Sequence, residues 1–160
     1  MKRLNDCQFL YRRKQLSALF IMTWSLLSLP VKAACMIASI NGVGFGQYDV
    51  FTSLSNTSGV GSLTVNCNGG GSSTFVTSLS TGQSNSYSTR IMKSGANSLA
   101  YNLYTSAART VVWGNGTGGS YVISTPRSNN ATLSIFGEIS AQQDSGVGTY
   151  TDSITATVSF

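Results

Sequence analysis

Histidine is absent from the 160-residue sequence and charge is scarce, with ten Lys and Arg against five Asp and Glu. Without histidine the usual general base is missing, along with the commonest metal ligand. Cysteine is nearly as sparse, at three residues, so a thiolate metal site has few donors to draw on. Beyond the first thirty-odd residues no long stretch has helical period, which argues against a helical domain. The same region is rich in Ser, Thr, Gly and Asn, and its apolar residues fall in short alternating runs between glycine clusters. Half-buried strands have this appearance.

The chain opens with the three-part layout of a secretory leader. Lys2, Arg3, Arg12, Arg13 and Lys14 form a basic region, Leu16 to Leu29 an apolar one, and Pro30 then leads into Val31-Lys32-Ala33, with small residues where signal peptidase needs them. Cleavage is expected after Ala33 or Ala34, dividing the chain into a signal peptide, 1–33, and a mature domain, 34–160. The rival reading is a membrane anchor, which takes about 20 apolar residues; this core is shorter. Lipidation at Cys35 is a second rival, but Lys32 stands where that pathway wants a Leu-like residue.

Setting the leader aside removes the charge. The formal +5 is carried by Lys32 and the five leader cations less Asp6. Arg90, Lys93, Arg109 and Arg127 then balance Asp49, Glu138, Asp144 and Asp152. No basic stripe survives to attract nucleic acid or acidic membrane. Cys7 leaves with the leader too, so export to an oxidising compartment pairs Cys35 with Cys67. Closing that 32-residue span removes roughly 3 to 4 kcal/mol of unfolded-state entropy in the loop-closure model.

Leu63, Val65 and Cys67 alternate with polar neighbours, as do Leu99, Tyr101 and Leu103. Phe75 to Leu79, Thr110 to Trp113, Tyr121 to Ser124 and Leu133 to Ile139 are further short runs. With the segment after Cys35 and the chain end, six or seven strands are expected in one antiparallel sandwich. In the last segment Ile154, Ala156, Val158 and Phe160 share a parity facing the core, opposite Thr155, Thr157 and Ser159. A terminal strand with no hairpin partner after it must find a mate elsewhere or leave its backbone unpaired.

Ordered motifs resemble the spore coat protein U domain family, whose members include secreted pilins of the archaic chaperone-usher pathway. They are Phe45-Gly46-Gln47-Tyr48-Asp49, Val65-Asn66-Cys67, Tyr101-Asn102-Leu103-Tyr104 with Ala107-Ala108-Arg109-Thr110 and Trp113-Gly114, Ile135-Phe136-Gly137, and Gly148 to Val158. The resemblance implies an all-β, immunoglobulin-like sandwich lacking its final strand. It implies a structural subunit of a bacterial surface fibre or coat, taken through the periplasm to the cell surface with a chaperone, an outer-membrane usher and other pilin subunits as partners. A strand from the chaperone, and later from a neighbouring subunit, would occupy a groove lined by Ile154, Ala156, Val158 and Phe160. Fibre-building members carry a donor strand ahead of the first cysteine; cleavage after Ala33 would leave only Ala34 there. A tip position, a coat role outside a linear fibre, and a different cleavage site all remain open.

No catalytic residue, cofactor or metal is expected. A glycosidase pair would have to come from Asp49, Glu138, Asp144 and Asp152, and nothing in the sequence brings two of them together. Gly42-Val43-Gly44-Phe45-Gly46 lacks the Lys-Ser/Thr of a phosphate loop. Gly69-Gly70-Gly71 and Gly114 to Gly119 suit hairpin connections needing positive φ. An alternative function is a secreted adhesive or carbohydrate-binding module using Trp113, Tyr121 and Tyr87 as an aromatic patch. The competing role for Trp113 is to cover one end of the core.

Overall fold

The computed structural model describes residues 34–68, 74–127 and 130–160. The expected leader, residues 1–33, and the Gly69-Gly70-Gly71 cluster lie outside them. The described residues form eight strands: β1 (Ala34–Gly44), β2 (Val60–Asn68), β3 (Thr74–Leu79), β4 (Arg90–Ser94), β5 (Asn97–Tyr104), β6 (Ile123–Pro126), β7 (Ala131–Ile139) and β8 (Ala156–Ser159). They make a five-stranded sheet in the order β1-β2-β7-β5-β4 and a three-stranded sheet in the order β6-β3-β8, with every ladder antiparallel. The only helical element among the described residues is a 3-10 turn at Gly82–Ser84. The expected antiparallel all-β fold is therefore observed.

Alternation builds each sheet's inner face. Leu63, Val65 and Cys67 of β2 are buried, as are Phe75, Thr77 and Leu79 of β3, while the residues alternating with them are more exposed. Cys35 lies directly opposite Cys67 in the β1–β2 ladder, Cα to Cα 4.0 Å, and the two form the disulfide. This ties edge strand β1 to the sheet at the second pair of the ladder. Further along, β1 carries register shifts between Ile37 and Ser39 and between Asn41 and Gly44, the signature of bulges. Such irregularity bends an edge strand and breaks its alternation.

Several of the family-like motifs meet in one place. Phe45 is buried edge-on against Tyr101, ring centroids 5.8 Å apart at 74°. Its ring occupies the space a side chain would need at Gly59 and Gly137, where an added Cβ would come within 2.6 and 2.5 Å of it. Arg109, itself at φ 51°, donates to the carbonyls of Gly137, Ala107 and Thr57, closing the adjoining loop onto the same strands.

Two runs differ from their expected form. Thr110 to Trp113 makes bridges instead of a ladder: Val112 faces Tyr104, and Trp113 is bridged to Tyr121. The loop between them turns through Gly116, Gly118 and Gly119 at positive φ, as the glycine cluster suggested. The chain end is not one continuous strand. Thr151 exchanges hydrogen bonds with Lys93 of β4, and only Ala156–Ser159 pairs with β3, so the segment crosses between the sheets.

Candidate functional site

The crossing segment is one wall of a groove of about 360 Å³. Tyr150 to Asp152, Ile154 and Ala156 stand on one side, Ile40 to Val43 of β1 on the other, with Leu63, Leu103, Ile135 and Leu79 as its apolar floor. A cavity near 150 Å³ suffices to hold benzene, so this groove has room for roughly two large apolar side chains. Two strands that end their sheets border it: β1, which pairs only with β2, and β8, which starts at Ala156 and pairs only with β3. Each therefore presents a backbone edge able to take another strand.

Along the chain end Ile154, Ala156 and Val158 are half-buried against the core and Thr155, Thr157 and Ser159 exposed, but Phe160, expected on the inward face and in the groove, is exposed and lies outside it. Ile154 and Ala156 line the groove itself; Val158 packs on the core beyond it. Phe160 is 57% exposed, and its ring lies under the guanidinium of Arg127 at 5.9 Å. The β1 wall, with Ile40 left 53% exposed, is the half that the alternation did not reveal.

At the Asp152 end the groove turns polar. Asp152 accepts hydrogen bonds from the Tyr101 hydroxyl (2.7 Å), the Gln83 amide (3.0 Å) and its neighbour Ser153 (2.7 Å). Gly82 is required there because an added Cβ would collide with the carboxylate, in a residue already at φ 64°. Burial, reinforced by the hydrogen bond to Asp152 and by its charge, pushes the Tyr101 phenol well above the ordinary tyrosine range. Tyr101 is thereby held as a donor.

Behind the floor lies a polar knot around Arg90, which is fully buried. Its guanidinium donates to the carbonyl of Ser80 twice (3.0 and 2.9 Å), to the carbonyl of Trp113 (2.7 Å) and to Asn102 Oδ1 (2.6 Å). Tyr87 stacks on it at 5.3 Å. Burial lowers the Arg90 pKa, while Tyr101, Tyr87 and Asp152 favour its charge. Asn102 completes the knot by donating to the carbonyls of Tyr87 and Ser88.

This knot decides the fate of the aromatic patch. Trp113 is fully buried and its indole donates to Thr77 O at 3.2 Å. Tyr87 is half-buried with its hydroxyl donating to Leu79 O, and of the three only Tyr121, 61% exposed, presents its ring to solvent. The three do not form an exposed platform. Trp113 has the core role, because the bridges on both sides of it turn the ring inward.

A second, wider cleft of about 1040 Å³ opens between residues 43–50 and 145–150, over Met92, Leu99 and Ile139. Among the carboxylates, Asp49 caps the turn at Phe51 N and Asp152 is engaged as above. Among the described residues no three of His, Cys, Asp and Glu cluster as metal ligands.

No curated protein matches the chain. Among solved structures, it is similar to a chain in the CsuC-CsuE chaperone-tip adhesion subunit pre-assembly complex from the archaic chaperone-usher Csu pili of Acinetobacter baumannii. The TM-score is 0.55 at 21% identity, over 81% of this chain and 40% of that one, so this chain spans well under half of its neighbour's length. That likeness agrees with the pilin-like fold. The Spore Coat Protein U domain model matches residues 22–157, nearly the whole length and all of the motifs that meet around Phe45, Tyr101 and Asp152, and the chain belongs to that family.

Proposed function

We propose that this protein is a non-catalytic structural subunit of a bacterial surface fibre or coat, exported to the periplasm and displayed at the cell surface, and assembled by accepting a β-strand. The observation that carries the reading is the groove between β1 and the C-terminal segment, bounded by the free edges of β1 and β8 over an apolar floor. A strand laid there pairs its backbone with an edge and sinks alternate side chains into the floor, the mode by which pilin complexes form. A periplasmic chaperone would supply the first strand and a neighbouring subunit the second, with an usher at the outer membrane. The family membership and the chaperone complex of the similar structure support this assignment.

The test is to express the exported chain alone and with an archaic-type periplasmic chaperone. The expected outcome is a soluble one-to-one complex with the chaperone and a poorly soluble, weakly cooperative solitary chain. A solitary chain that unfolds cooperatively as a stable monomer, unchanged by the chaperone, rules out strand acceptance.

A further inference from the structure

The lining of the groove is mostly apolar, with Leu63, Leu79, Ile135, Ile154 and Ala156, and turns polar where Thr151, Asp152 and Tyr101 join it. A strand lying in the groove therefore meets both kinds of surroundings.

The polar end carries an uncompensated demand. A carboxylate offers about four acceptor sites. Asp152 uses three of them, on Tyr101 O–H, Gln83 N–H and Ser153 N–H, and all three donors are neutral. The Arg90 guanidinium feels this charge through space but spends its N–H groups on Ser80, Asn102 and Trp113. A strand that buried only aliphatic side chains here would strip water from the carboxylate without replacing it.

We infer that the strand accepted by this groove carries aliphatic side chains at alternate positions and a cationic side chain, Lys or Arg, at the one alternate position that faces Asp152. The inference rests on the strand-accepting reading above. Its consequence is partner selection: a strand with an acidic residue at that position is rejected by like charge, as specificity by repulsion requires.

The experiment refolds the full chain with synthetic peptides of about twelve residues, ~40 Å when extended, of alternating Val and Thr. Lys, and separately Glu, is walked through the Val positions, and binding is read by melting temperature and fluorescence anisotropy. Lys at one position is expected to bind roughly tenfold tighter than the all-Val peptide, as for a hydrogen bond to a charged group. Glu there binds worst, and the Lys gain shrinks as salt rises. In Asp152→Asn the ratio of Lys-peptide to all-Val-peptide affinity falls to about one, whatever the absolute affinity of either. A Lys walk with no preferred position, or a preference persisting in Asp152→Asn, overturns the inference; should that variant not fold, the Glu series and salt dependence on the unaltered chain decide. If no peptide of either kind raises the melting temperature, strand acceptance itself fails.

Discussion

Replacing Arg90 by Met tests the polar knot beneath the groove. The methionine roughly fills the arginine stem's space but returns none of its four hydrogen bonds. Asn102 Oδ1 keeps the Leu103 amide, so the groups left wanting are the carbonyls of Ser80 and Trp113. Each unsatisfied buried acceptor costs about 1 to 3 kcal/mol. Removing a desolvated charge gives part of that back. A net loss of about 3 kcal/mol follows. At roughly 2.1 cal/mol/K per residue over the domain, that lowers the melting temperature by about 10 °C. Arg90→Lys should lose nearly as much, since one ammonium cannot reach Ser80, Asn102 and Trp113 together. Both variants are compared with the parent as chaperone-bound chains by calorimetry, so that the groove is filled alike. A shift under about 3 °C in Arg90→Met would refute the claim that these carbonyls depend on the guanidinium.

Two further perturbations probe other joints of the fold. Gly137→Ala drives a methyl to 2.5 Å from the Phe45 ring and should destabilise by about 1 to 3 kcal/mol, with Phe45→Leu in the same chain recovering part of the loss, as a double-mutant cycle in urea would show. Cys35→Ser with Cys67→Ser removes the cross-link over 32 residues and should cost roughly 3 to 4 kcal/mol, read as the urea midpoint with and without reductant; the parent under reductant should match the double variant.

Strands β2, β3 and β7 were legible because each has one buried face, so sequence alternation and burial coincide; β5 was legible from Leu99, Tyr101 and Leu103, although Asn102 on its other face is buried as well. β4 was not, since its first inward residue is Arg90 and a buried arginine reads as surface in any hydropathy pattern. Only its bonds to two carbonyls and an amide explain its position, and those partners lie 10 to 23 residues away. The groove was half legible for a related reason. Ile154 and Ala156 follow from parity, whereas Ile40 and Val43 lie where the register shifts of β1 break it. Parity also fixes which side chains face inward without saying which strand lies alongside, so Thr151 on β4 and Ala156–Ser159 on β3 look like one strand in sequence and are two attachments in space. That division has a mechanical consequence. Thr151 and the Asp152 hydrogen bonds anchor one end of the groove wall to the larger sheet, and the β3 ladder anchors the other to the smaller, so a strand accepted there as proposed would meet a wall already held at both ends. Less ordering is then left to be lost on binding, which is the condition under which backbone pairing along a single edge yields a tight complex.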